Sequence, residues 1–193
     1  MGGIRIVIAD SDAQTRKSLK SILSQAGHVV VGEADDGLAA LKLVRTRQPD
    51  LVILDAKMAV MDGAELGYIV EEDGLAPVIL MTAGEKLRIN EQNSEQQSFA
   101  YIVKPVTEHS LLPLIDLVIK NYRKIKTLEQ EVVKLKDSIE TRKFVEKAKG
   151  ILMDTNKMSE SEAFKRIQKQ SMNKRVSMKS VAKAIILAHE INQ

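Results

Sequence analysis

The residues of this 193-residue chain with the types and spacing to do chemistry are Asp10, Asp12, Asp55, Thr82 and Lys104. Asp55 closes an apolar run, Leu51 to Leu54, that has no polar alternation, as expected of a strand buried on both faces of a parallel sheet. A carboxylate at the carboxyl end of such a strand stands where ligands collect in open α/β sheets. Taken alone, it could equally be a helix cap or a turn former. Asp10 ends another apolar run with Asp12 close by, Thr82 ends a third, and Lys104-Pro105 ends a fourth. Like charges about 4 Å apart repel by roughly 4 kcal/mol at an effective dielectric near 20, so paired acids need a cation or a proton between them. Oxygen donors without His or Cys favour Mg²⁺ over Zn²⁺. Acid, acid, hydroxyl and ammonium at one edge would suit a phosphoryl group carried on Asp55. Lysine and metal would neutralise its oxygens, and the hydroxyl would donate to one of them.

The elements that must bring these residues together alternate along residues 1–118. Ile4–Ala9 reads as a strand, followed by the amphipathic helix AQTRKSLKSILSQAG, stopped at Gly27. His28–Gly32 is a strand, and DGLAALKLVRTRQ is a helix ending before Pro49. Leu51–Asp55 is followed by a short helix over Ala64–Glu71, a strand over Pro77–Met81, a weak polar helix over Glu85–Glu95 and a strand over Ala100–Val103. A further helix starts near Ser110, with Pro113 tolerated in its first turn. Five βα units with short connections predict a flavodoxin-like, doubly wound parallel sheet of strand order 2-1-3-4-5. In that order the first and third strands flank the switch point, so Asp10 and Asp55 meet at one edge.

A hydrophobic content of 44% suffices for a packed core, and 28% charged residues suit a soluble surface. The absence of cysteine excludes disulfides and thiolate metal sites. No apolar run reaches the roughly 18 residues of a membrane span. The N-terminus resembles neither a signal peptide nor, with Ile6 in place of Ser or Thr, a myristoylation site. The chain is expected to be cytoplasmic. Its net charge of +3 conceals an asymmetry: residues 1–118 hold 11 Lys+Arg against 17 Asp+Glu (−6), whereas residues 119–193 hold 18 against 9 (+9). The basic part could meet a polyanion or could be a solvated lysine-rich surface.

With Asp10, LDAKMAVMDG, MTA and YIVKP in this order and spacing, residues 3–120 resemble the receiver domain of bacterial two-component response regulators. The resemblance implies that Asp55 accepts phosphate from the phosphohistidine of a sensor histidine kinase. It implies that Asp10, Asp55 and the backbone carbonyl of Lys57 hold Mg²⁺, that Thr82 and Lys104 contact the phosphoryl group, and that Tyr101 is a switch aromatic moving with Thr82. Two departures stand out. The family usually has two adjacent acids where this chain reads Asp10-Ser11-Asp12, so metal affinity could be weakened or Asp12 could partly substitute. The family's proline is Ala59 here, which loosens that loop.

Beyond the receiver, Ile125, Leu128, Val132, Leu135 and Ile139 step by three and four. β-Branched residues at a with leucine at d favour a parallel two-stranded coil. At about three heptads it should be weak alone and open to control by the first domain; the alternative is packing of this stripe on the chain's own tail. The tail reads as three helices. SESEAFKRIQKQSM opens with the capping box Ser159/Glu162, and SMKSVAKAIILAHEI is capped by Ser177. Phe144, Val145, Ala148, Ile151 and Leu152, then Ala163, Phe164 and Ile167, then Val181, Ala182, Ile185 and Ile186 form the expected core. Gly150 is expected to mark a close helix–helix approach. Basic pairs Lys143/Lys147, Lys165/Lys169 and Lys179/Lys183, with Lys149, Arg166, Lys174 and Arg175, suggest a phosphate-binding surface. With AKGILM, SESEAFKRIQKQSM and VAKAII in order, residues 137–191 resemble the ANTAR domain of transcription antitermination regulators. That resemblance implies a receiver-gated homodimer binding paired hairpins in nascent leader RNA, so that no terminator forms.

The expected organisation is a receiver over 1–120, a coiled-coil connector over 121–142 and a three-helix RNA-binding domain over 143–193. The phosphoacceptor modifies itself, and no arrangement for turnover on a substrate is visible. The competing readings are a DNA-binding response regulator, against which the tail lacks a compact two-helix unit with a short turn, and a regulator acting through protein contacts of its basic tail.

Overall fold

The computed structural model describes residues 3–84 and 99–191. The expected polar helix over Glu85–Glu95 lies outside them. In chain order the elements are β1 (Arg5–Ala9), α1 (Ala13–Gln25), β2 (Val29–Ala34), α2 (Gly37–Arg47), β3 (Leu51–Asp55), α3 (Gly63–Glu72), β4 (Val78–Thr82), β5 (Ala100–Val103), α4 (Glu108–Asn156), α5 (Glu160–Lys174) and α6 (Met178–Ile191). The chain divides into two compact units, residues 1–125 and 126–193.

In the first unit all strand pairs are parallel, in the order β2-β1-β3-β4-β5 that the βα alternation predicts. Successive strand residues face opposite sides, so each central strand feeds two cores. Ile6, Ile8, Ile53, Ile79 and Met81 pack with Leu19 and Leu23 of α1 and Leu111 and Ile115 of α4. Val7, Val52, Leu54, Val78 and Leu80 pack with Ala40 and Val44 of α2 and Leu66 and Val70 of α3. Continuous apolar runs were therefore the right signal for β1, β3 and β4. The edge strand β2 extends past the expected end at Gly32. The pairing skips from Ile6↔Val30 to Val7↔Gly32, a bulge of the kind glycine inside a strand often marks.

The helices on this unit begin at acids or hydroxyls that reach back to free N–H groups. Asp12, Asp36 and Asp62 cap α1, α2 and α3. For α4, the Ser110 N–H donates to the Thr107 hydroxyl and the Leu111 N–H to the Thr107 carbonyl, so the helix starts before the expected Ser110. Pro113 consequently lies beyond the first turn.

The second unit is a three-helix bundle of the C-terminal part of α4 with α5 and α6. Val145, Ala148, Leu152, Ala163, Ile167, Val181, Ala182 and Ile186 are its buried centre. The capping box of Ser159 and Glu162 is formed, and the Ser180 N–H donates to the Ser177 hydroxyl. Two expectations are corrected. Phe164 is 41% exposed rather than core, because its neighbours Ala163 and Ile167 take the inward positions of α5. A side chain at Gly150 would meet open space rather than another helix.

Candidate functional site

Strand ends place the first group of candidates. β1 ends immediately before Asp10, β3 at Asp55 and β4 at Thr82, while Lys104 follows β5 and donates its N–H to the Thr82 carbonyl at 2.7 Å. The Lys104–Pro105 peptide is cis. From there the ammonium reaches across the sheet edge, 2.7 Å from Asp10 Oδ2 and 3.1 Å from Asp55 Oδ2. Asp10 is fully buried, and its other oxygen accepts the Asp12 N–H at 2.8 Å. Thr82 is buried beside them. Burial works to lower the Lys104 pKa. The hydrogen bonds and charges of Asp10 and Asp55 outweigh it and hold the ammonium above its ordinary value. The lysine thus supplies the cation that two converging carboxylates require.

The loop after β3 is held tightly. A side chain on Gly63 would strike the Asp55 carbonyl, and the Gly63 N–H donates to Ala56 O at 3.1 Å. The Lys57 N–H points at Asp55 Oδ1 from 3.4 Å. Between them Val60 adopts a φ of 70°, and the Met61 N–H donates back to Ala59 O at 2.8 Å. This is a strained γ-turn, rare for any L-residue and most costly for a β-branched one. Tyr101 is 63% exposed on β5.

Asp12 is bonded to Asp10 through its backbone N–H and feels the charge of Lys104, but its carboxylate has hydrogen-bond partners of its own. Its carboxylate caps α1, accepting from the N–H groups of Gln14 and Thr15 and the Thr15 hydroxyl. Those bonds, the hydroxyl first, hold its carboxyl below the ordinary range. In this structure the Asp12 carboxylate serves as the cap of α1. The donor set still fits Mg²⁺: two hard carboxylates of Asp10 and Asp55, with room in the ion's coordination sphere for a carbonyl and waters. Sequence reasoning missed Arg16, whose guanidinium donates to the Asp10 carbonyl at 2.6 Å and the Ser11 carbonyl at 3.4 Å. A lone arginine in a basic helix carries no signal of that reach.

The second group lies in the bundle. Lys149 is only 7% exposed and bonds Glu160 at 2.7 Å and Glu146 at 2.9 Å, with Glu160 the larger cause of its raised pKa. It is corrected from surface contact to a clamp between α4 and α5. Lys179 bonds Asp137 at 2.6 Å and Glu140 at 2.8 Å, Lys183 lies 3.7 Å from Glu140 and 4.6 Å from the centre of the Phe144 ring, and Lys147 pairs with Glu190 at 3.0 Å. Of the remaining basic candidates, Lys143, Lys165, Arg166, Lys169, Lys174 and Arg175 form no ion pair among the described residues, and four of these six lie on α5. The heptad residues Ile125, Leu128, Val132, Leu135 and Ile139 are each 47–63% exposed, so the chain's own tail does not cover them.

Comparison with protein families matches residues 6–116 to the response regulator receiver domain and residues 133–186 to the ANTAR domain. The chain belongs to the response regulators that carry an ANTAR domain. It is 38% identical over 182 residues, 94% of its length and 89% of the relative's, to the transcriptional regulatory protein PdtaR of Mycobacterium tuberculosis. The receiver domain of the response regulator NarL from the same species superposes with a TM-score of 0.54 at 32% identity, covering 64% of this chain and 98% of that one. A chain of the CheX–CheY–BeF₃–Mg complex of Borrelia burgdorferi gives 0.52 at 28% identity, over 57% of this chain and 85% of that one. Receiver domains of this kind bind Mg²⁺ in their phosphorylation site and imply a histidine kinase partner; an ANTAR domain implies RNA binding. Regulators of this two-domain type are of a non-enzymatic kind. Among the described residues no helix is long and apolar enough to cross a membrane.

Proposed function

We propose that this response regulator is a phosphorylation-controlled antiterminator. Asp55 takes a phosphoryl group from a sensor histidine kinase, two copies join, and their tails bind hairpins in a nascent leader RNA so that no terminator forms. The observation that carries the reading is the Lys104 ammonium shared by the Asp10 and Asp55 carboxylates in a chain whose tail is an ANTAR domain. In the transfer an Asp55 oxygen attacks phosphorus, the P–N bond to histidine breaks, and the imidazole leaves with the electron pair and is protonated. Before transfer Lys104 divides its charge between two carboxylates; afterwards the new phosphoryl oxygens compete for it. The Thr82 hydroxyl donates to one of those oxygens, and Tyr101 follows Thr82. Asp10, Asp55 and the Lys57 carbonyl would hold Mg²⁺, which would supply further neutralising charge.

Dimerisation uses the exposed heptad stripe. A parallel, in-register pair sets Lys124 against the partner's Glu129 and Glu131 against the partner's Lys136, attractive g–e contacts on both flanks. Joining two tails raises affinity for paired hairpins through effective concentration. The test is retention of a two-hairpin leader RNA by the full chain, with sedimentation mass in parallel, with and without acetyl phosphate. Phosphate should raise both, and Asp55→Ala should abolish the rise. Equal RNA retention by Asp55→Ala under phosphorylating conditions rejects the switch.

A further inference from the structure

The bundle holds a groove that no part of the reading above uses. It has a volume of about 490 Å³ and lies between α5 and α6 over the end of α4. Leu152, Val181 and Ile185 line it with apolar surface. Arg166, Gln170 and Lys174 recur at every fourth position of α5 and so form one wall. Ser180, Ala184 and Ala188 recur in the same way on α6 and form the other. Long polar side chains thus face a wall of small ones, leaving a slot with two cations and no carboxylate in its lining.

The surrounding electrostatics leave this slot's cations available. The basic pairs of α4 and α6 are largely occupied: Lys147 by Glu190, Lys179 by Asp137 and Glu140, and Lys183 by Glu140. Arg166 approaches only the Met158 sulfur, at 3.9 Å, and Lys174 has no charged partner among the described residues. An anion reaching the bundle therefore finds uncommitted cations on the rim of this groove. Apolar depth beneath a cationic rim suits a flat ring carried on a phosphate backbone. Gln170 and Ser180 add an amide and a hydroxyl, each able to donate and accept, for the edge of that ring.

We propose that the α5–α6 groove receives a single unstacked base from a folded RNA loop, with Arg166 and Lys174 holding the adjoining phosphates. This rests on the RNA-binding reading of the tail and assigns its base-reading site.

The experiment uses the full chain, treated with acetyl phosphate, and RNA hairpins with a randomised loop, selected for retention by that chain. Ala184→Leu fills the groove without changing charge, at an exposed helical position; Ala188→Leu fills its far end. Each should weaken the selected hairpins about tenfold or more, leave the slope of log affinity against log salt unchanged, and leave binding to the loop-free stem duplex unchanged. Lys174→Gln should instead weaken hairpin and duplex alike and reduce that slope by about one. An unchanged helical melting curve for each variant excludes misfolding. If both groove-filled variants keep full hairpin affinity, the groove takes something else, an acidic amphipathic helix being the occupant of matching charge, and the proposal is overturned. If the phosphorylated wild-type chain retains no hairpin from the pool, the RNA reading itself fails and the groove's ligand with it.

Discussion

Replacing Lys104 by methionine removes the charge that lies between two carboxylates and nearly preserves volume. Asp10 is fully buried, and among the described residues its carboxylate keeps only the Asp12 N–H at hydrogen-bonding distance. Removing one member of a buried ion pair typically costs 3–5 kcal/mol. The Lys104 side chain is a quarter exposed, so water relieves part of this, and the loss should fall near the lower end, about 3 kcal/mol. Urea unfolding of the wild type and of Lys104→Met at neutral pH without divalent ions measures it. Mg²⁺ should then return more stability to the variant than to the wild type, because it no longer competes with the ammonium for Asp10 and Asp55. In the wild type the Lys104 pKa is raised, so its contribution is whole at neutral pH and is lost as the pH climbs through that raised value. A variant as stable as the wild type, or equal Mg²⁺ responses, would refute the reasoning.

Val60→Gly should stabilise the protein by about 1 kcal/mol: the left-handed backbone costs an L-residue roughly 1–2 kcal/mol, and glycine's unfolded-state freedom returns part of that. Thermal unfolding reads it as a rise of several degrees. Gly150→Ala, in open space within α4, should stabilise the bundle by roughly 0.5–1 kcal/mol in the same assay. Burial raises the pKa of Glu71, so ionising it costs stability as the pH passes from its ordinary range upwards. Glu71→Gln should flatten that fall in urea midpoints measured across the weakly acidic range.

The receiver was legible because its signals are local. Each central strand is a short apolar run, and a polar residue at or just beyond the end of β1, β3, β4 and β5 must arrive at one edge once the order is 2-1-3-4-5. Asp12 was ambiguous because capping and metal binding draw on the same residue type; the N–H groups of Gln14 and Thr15 that engage it as a cap are fixed by the fold. In the tail, basic pairs at i,i+4 predicted cationic faces but not their partners. Glu160 clamps Lys149 from the first turn of another helix, and Asp137 reaches Lys179 from 42 residues away in sequence. Such pairs arise from packing, which spacing within one helix does not encode. Phe164 was misjudged for the same reason: its helix is rotated to bury the smaller Ala163.

The carboxylates that secure Lys179 have a consequence for assembly. Asp137 and Glu140 occupy heptad positions f and b, on the back of α4 relative to the a and d residues Val132, Leu135 and Ile139. Zipping two copies together along that front therefore leaves the fastenings of α6 undisturbed. Each molecule brings its terminal bundle to the union already built, and separation would return it intact.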